Sequence, residues 1–270
     1  MKRLLIIIFF VLNVLVALAQ EKSGTYVMIE TNMGNMKVLL YDKTPKHRDR
    51  FLQLVKNGHF NNTLFYRVIK GFVIQGGSSD SRYAAKGRQI GYGRPMPMDA
   101  EIRNNCFHKK GALAAPRQPN RVNFHKESDI SQFYIVQGRK YTMKELTYLE
   151  RSVNNPIKKD IKRRVYTKEK KALLEEYRAA KKVEEFRELA SKIKKDFAFE
   201  WGANMDKLIL SDELKKAYTT VGGLQHLDRQ YTVFGEVVEG LQVIDKIANM
   251  KTDAFDRPKT DVTIKIRVLK

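Results

Sequence analysis

Asn62-Thr63-Leu64-Phe65-Tyr66-Arg67-Val68-Ile69-Lys70-Gly71-Phe72-Val73-Ile74-Gln75-Gly76-Gly77 is the stretch on which the fold turns. Its Val, Ile, Phe and Tyr are the residues of half-buried strands, Lys70-Gly71 interrupts them and Gly76-Gly77 ends them. The pattern predicts two short strands joined by a tight turn. Side chains alternate along a strand, so Phe65, Arg67 and Ile69 are expected on one face and Tyr66 and Val68 on the other. Beyond the turn, Val73 and Gln75 share a face, with Phe72 at the bend. Taken alone, the hairpin has an ordinary reading in which Arg67 snorkels to water and Gln75 sits at a solvated strand end.

Working outward, Tyr26–Glu30 and Met36–Tyr41 flank Asn32-Met33-Gly34-Asn35, which supplies the residues a hairpin turn requires. Thr44-Pro45 starts a helix, with Thr44 as N-cap and Pro45 where its missing N–H is harmless. Phe51, Leu54 and Val55 form the buried stripe of that helix, and Asn57-Gly58 stops it. Ser78 to Arg103, rich in Gly, Pro, Ser and charge, reads as a long surface excursion. Gly111 to Arg117 is a small-residue strand ending at a turn, and Ser131 to Val136 an aromatic one. Late in the chain come a strand from Tyr231 to Val237, a short amphipathic helix from Leu241 to Ala248, and an alternating closing strand from Val262 to Val268.

Phe65-Tyr66-Arg67-Val68-Ile69 followed by Gly71-Phe72-Val73-Ile74-Gln75-Gly76-Gly77 resembles the signature of the cyclophilins, peptidyl-prolyl cis/trans isomerases. The resemblance extends over about Tyr26 to Val136 and Gly222 to Val268. It implies a mainly β fold: a closed antiparallel barrel capped by two helices, here with a charged α-helical insertion. It also implies the site. Arg67 is the catalytic donor and Gln75 orients its guanidinium and the moving carbonyl; Phe72, Val73, Tyr134 and Leu227 hold the proline ring. Main chain around Arg117 pairs with an extended substrate, Gln132 supports the polar contacts, and Phe133 faces the core. Tyr231 stands where the best-known members carry histidine and His226 where many carry tryptophan, which points to altered substrate or inhibitor preference. Pro116 removes a backbone donor where the family often has alanine, and Asp129-Ile130 replaces smaller, glycine-containing sequence.

The rest of the chain bounds where and with what the protein works. Lys2-Arg3, the apolar run Leu4 to Leu18 and Ala17-Leu18-Ala19 form a secretory signal pattern with cleavage after Ala19. The expected organisation is residues 1–19 signal peptide, 24–137 with 222–270 barrel, and 138–221 insertion. Periplasmic export is expected, with full secretion as the alternative, and an uncleaved signal is the only membrane attachment foreseen. Cys106 is the sole cysteine among 270 residues, so no internal disulfide forms. With five scattered histidines there is no metal-ligand spacing and no Cys/His nucleophile pair, and no cofactor is expected. A net charge of +21 would suggest nucleic acid, but export argues against it and the excess reads as a solvated surface. In the insertion, Thr142 and Glu145 have capping-box spacing. Apolar residues from Leu173 to Phe197 predict one long amphipathic helix over Lys168 to about Phe199, and Ser211 caps a further short helix. The expected partners are proline-containing unfolded or extended chains, with a protein partner for the insertion. The rival reading is a non-catalytic peptide-binding or holdase module that docks through the basic helices.

Overall fold

A computed structural model describes residues 24–269 of the chain; the expected signal peptide lies outside them. The chain divides into two compact units, one formed by the described residues up to Arg139 together with those from Gly223 onward, the other by Lys140–Gly222.

In chain order the first unit runs β1 (Thr25–Thr31), β2 (Gly34–Leu40), α1 (Pro45–Lys56), β3 (Thr63–Val68), β4 (Val73–Gly76), β5 (Pro97–Met98), β6 (Ala112–Ala114), β7 (Ser128–Asp129) and β8 (Phe133–Val136). After the second unit it resumes with β9 (Val233–Glu239), α6 (Leu241–Ala248) and β10 (Thr263–Val268). Eight strands close a barrel in the order β1-β10-β3-β4-β8-β6-β9-β2, and every pairing is antiparallel. Closure leaves no open sheet edge. Strands β5 and β7 pair separately as a two-stranded ribbon on the long excursion.

The barrel is filled by alternate strand residues such as Ile29, Val38, Ile74, Leu113 and Ile266, all almost fully buried. Helix α1 covers part of this core with Phe51, whose ring lies 5.0 Å from Phe60, 5.2 Å from Phe234 and 5.9 Å from Phe133. Such a fully buried aromatic contributes about 1.5–3 kcal/mol. Val243, Ile244 and Ile247 of α6 join the same cluster. Thr44 stands at the N-cap of α1, but its side chain makes no cap bond. The Glu101 carboxylate replaces it, accepting from the backbone N–H of Lys46 (3.2 Å) and His47 (2.8 Å). A charged oxygen satisfies the orphan donors of the first turn better than a hydroxyl, and it complements the helix dipole.

The central hairpin forms as its residue types predict, with Gly71 at φ +75° in the turn. The side-chain faces differ from simple alternation. Phe65 pairs with Gly76 and Arg67 with Gln75, so the register shifts by one residue between Phe65 and Arg67. This β-bulge reverses the alternation. Phe65 and Val68 therefore both enter the core, and Tyr66 packs in a separate cluster with Leu64 and Ile90.

The second unit consists of α2 (Met143–Val165), α3 (Lys168–Ala179), α4 (Val183–Ala203) and α5 (Asp212–Thr220). Thr142 and Glu145 form the capping box at the start of α2, and the Ser211 hydroxyl accepts from Leu214 N at 3.2 Å to cap α5. The single long helix expected over Lys168 to Phe199 is instead two. The chain turns at Lys181, at φ +55°, and α3 and α4 fold back on each other: Lys170 pairs with Asp196 at 3.5 Å and the Arg178 guanidinium lies 5.3 Å from the Phe186 ring. A lone helix would leave its apolar stripe in water, and doubling back covers part of it. Among the described residues no helix is long and apolar enough to cross a membrane.

Candidate active site

The bulge in β3 places Arg67 at a cavity of about 170 Å³ lined also by Phe72, Val73, Gln75, Pro116, Arg117, Tyr134, Leu227 and Tyr231. The lining residues come from four separated parts of the chain, brought together by the pairing of β4 with β8 and of β8 with β6. The cavity is below the ~300–1,000 Å³ of pockets for drug-sized ligands, so it admits one compact ring.

The guanidinium of Arg67 lies 5.9 Å from the centroid of the Phe72 ring, and its Nη1 donates to Gln75 Oε1 at 3.4 Å. Its Nε is 3.7 Å from the Asp256 carboxylate. The arginine side chain is 39% exposed, so this ion pair is screened and contributes little energy. Gln75 is held in turn: its Nε2 donates to the Tyr66 hydroxyl at 2.7 Å and to Gln132 Oε1 at 3.4 Å. Burial pushes the Tyr66 phenol well above its ordinary value. It therefore stays protonated and donates to Gln132 Oε1. The Nε2 of Gln132 donates to Asp129 Oδ2 at 3.3 Å. Gln132 thus lies behind the cavity and acts on it through Gln75.

The apolar walls are anchored as firmly. Tyr134 is buried, packed edge-on against Tyr231 at 6.0 Å, and its hydroxyl is 3.0 Å from His108 Nε2. Burial raises its pKa too, which keeps it a neutral phenol. The Arg117 guanidinium lies 4.7 Å over the Tyr231 ring while its Nε donates to Gln230 O at 2.7 Å. The side chain of Arg117 thus forms part of the rim. The Pro116 carbonyl accepts from Asp129 N at 2.7 Å, which ties the loop carrying Asp129 to the end of β6. His226 stacks on Phe72 at 6.0 Å and 10°, and burial, reinforced by nearby His108, lowers its pKa so that it meets the site as a neutral ring.

All the residues named from sequence meet here except Gln132, which stands one hydrogen bond further back. Sequence reasoning missed Tyr66, which the expected alternation put on the far face, and also Asp256, His108 and Asp228, whose carboxylate lies 3.0 Å from the His108 Nδ1. None of the last three sits in a local pattern that marks it; closure of the barrel and its loops creates their roles. Among the described residues no group of three His, Cys, Asp or Glu is disposed to hold a metal ion.

Comparison with known proteins bears on this arrangement. The family described as cyclophilin type peptidyl-prolyl cis-trans isomerase/CLD matches residues 26–151 and 217–268. A Streptococcus pyogenes protein, named as a candidate bifunctional phosphatase/peptidyl-prolyl cis-trans isomerase, is 30% identical over 91% of this chain. The chain spans only 38% of that relative's length. A Staphylococcus saprophyticus protein, named as a candidate peptidyl-prolyl cis-trans isomerase, is 27% identical over 88% of this chain and 87% of its own length. Among solved structures, a cyclophilin type isomerase of Cryptosporidium parvum superposes with a TM-score of 0.52 at 20% identity, covering 91% of this chain and 98% of that one. At that identity the likeness establishes the fold.

Proposed function

We propose, from the premise that this chain belongs to the cyclophilin-type peptidyl-prolyl cis-trans isomerase family, that Arg67 turns X-Pro bonds of extended polypeptides by stabilising the twisted amide above the cavity. An X-Pro bond prefers trans by only about 0.5–1 kcal/mol but interconverts over tens to hundreds of seconds, because rotation sacrifices amide resonance. No nucleophile is needed. At the twisted midpoint the proline nitrogen loses conjugation and regains a lone pair, so a donor placed there binds the transition state better than either ground state. The observation that carries the reading is a guanidinium at a ring-sized hollow that Phe72, Val73, Tyr134 and Leu227 also line, with the Phe72 ring beneath it and Gln75 at its side.

One hydrogen bond to a charged group is worth about 1.5–3 kcal/mol, or roughly one to two powers of ten in rate. Phe72, Val73, Tyr134 and Leu227 hold the ring beside Arg67 in ground and transition states alike, and excluding water there strengthens the donor. In a protease-coupled proline-peptide assay, Arg67→Ala is expected to lower kcat/KM at least about tenfold with the circular dichroism unchanged. Wild-type turnover in that folded variant would overturn the mechanism. A wild-type protein that binds proline peptides without turning them over would favour the binding-module reading.

Assistance to exported proteins is part of the same proposal. It is supported by the Lys2-Arg3, apolar and Ala17-Leu18-Ala19 pattern, and periplasm is the compartment we assign. Amino-terminal sequencing of the protein recovered from cell fractions tests it: a chain beginning at Gln20 outside the cytoplasm is expected, and one retaining Met1 in the cytoplasm refutes it.

A further inference from the structure

We propose that His108 is a positioning residue for the proline pocket, anchoring three of its walls at once; this rests on the isomerase reading above. His108 is fully buried and is not itself among the residues that line the cavity. Its backbone N–H donates to Asp228 Oδ1 at 2.8 Å, and its ring Nδ1 lies 3.0 Å from the same oxygen. On the far side of the ring, Nε2 is 3.0 Å from the Tyr134 hydroxyl, and the His108 carbonyl accepts from Leu224 N at 2.8 Å. The imidazole lies nearly parallel to the Tyr134 ring, 6.1 Å away, and meets Tyr231 edge-on at 6.3 Å. Leu227 sits between Leu224 and Asp228, so the short turn that presents it is clamped at both ends by this one residue.

The tautomer follows from the partners. A carboxylate only accepts, so in the neutral imidazole Nδ1 carries the hydrogen toward Asp228 and Nε2 keeps a lone pair. Tyr134, kept a neutral phenol by burial, donates its O–H to that lone pair. Carboxylate, imidazole and phenol thus form a line that fixes the rotation of the Tyr134 ring from behind while its apolar face stays toward the cavity. An anchor of this kind orients a binding wall in the way that outer partners orient a metal-bound histidine. It makes no contact with the twisting amide, which is Arg67's task. Loss of the anchor is therefore expected to weaken ring binding in ground and transition states alike, raising KM and leaving kcat.

Side-chain geometry gives a discriminating set of variants. His108→Gln keeps a polar atom near the Nε2 position and so the Tyr134 contact; His108→Asn keeps one near Nδ1 and so the Asp228 contact; His108→Leu keeps neither. Steady-state kinetics on a proline peptide, with calorimetric binding of the same peptide and thermal melts alongside, reads them out. A lost buried hydrogen bond corresponds to about tenfold, so His108→Leu should raise KM and Kd by about that factor with kcat within about threefold. His108→Gln should recover most of the loss and His108→Asn less. Unchanged Kd in folded His108→Leu overturns the proposal, as does equal loss of kcat and affinity in all three. If the leucine variant does not fold, Gln no better than Asn overturns it on the remaining pair. Because Kd is measured without turnover, wild type that binds but does not isomerise defeats the catalytic reading alone.

Discussion

Replacing Gln75 by alanine isolates how much of the activity depends on aiming Arg67. The amide Oε1 of Gln75 accepts from Arg67 Nη1 at 3.4 Å, longer than the usual 2.7–3.2 Å of such bonds. Its contribution therefore falls below the 1.5–3 kcal/mol of a well-made bond to a charged group, at about 1 kcal/mol, or roughly fivefold in kcat/KM. The fold should tolerate the change. The Tyr66 hydroxyl still has Gln132 as acceptor, so no buried donor is stranded. The decisive measurement is a double-mutant cycle in the protease-coupled assay. If Gln75 acts only through Arg67, then once Arg67→Ala is present, Gln75→Ala should add less than about 0.5 kcal/mol, the range in which independent effects are indistinguishable from none. A fivefold loss that persists unchanged on the Arg67→Ala background would refute the reasoning, and would mean that Gln75 touches the substrate itself.

Excising Lys140–Gly222 with a short linker should leave peptide turnover within about threefold, since Arg139 and Gly223 already pair across the junction and loop closure costs only a few RT; loss of turnover in a folded barrel would show that the second unit shapes the groove. Stability should fall in acid through His47 and Glu101. Burial holds the fully buried His47 below its ordinary 6.5 against the pull of Glu101, so the unfolded chain takes up more protons as pH drops beneath that value, and stability declines from there. Burial pushes the Glu101 carboxyl up, but bonds from the His47 ring and from the backbone of His47 and Lys46 outweigh it and bring its pKa below the ordinary 4.5. Its contribution is present above 4.5 and is lost as pH falls through the folded value. Urea midpoints should be flat above pH 7 and drop between pH 6.5 and 4. Glu101→Gln should cost about 1–2 kcal/mol at pH 7, the same down to about pH 4.5, and progressively less below that as the carboxylate protonates; an equal cost at about pH 7 and about pH 3 would exclude the charged cap.

How much of this was legible in the sequence depends on whether the cause was local. The turn at Lys70-Gly71 and the end at Gly76-Gly77 are written in residue type, as is the capping of α2 by Thr142 and Glu145. Meeting of Phe72, Tyr134 and Leu227 around one hollow is not local, because long stretches of chain separate them; it could be named only through resemblance to a family. The turn at Lys181 has no glycine or proline to announce it. It forms because packing α3 on α4 outweighs the roughly 1–2 kcal/mol cost of a left-handed lysine.

The bulge in β3 shows why the site itself escaped period-two reading. Phe65 points into the core, and strict alternation from it would send Arg67 inward too. A guanidinium there would lose its hydration among Val38, Ile74 and Phe133 with no carboxylate to meet it, at a cost of several kcal/mol. One extra residue removes the conflict. With Tyr66 accommodated in the bulge, Val68 takes the next inward position and Arg67 stays at the cavity, while the Tyr66 hydroxyl comes within reach of Gln75 and Gln132. The irregularity that defeated the sequence reading is thus what permits an arginine in an otherwise apolar strand and supplies the network that aims it. Restoring regular pairing would bury the charge and dismantle that network in the same step.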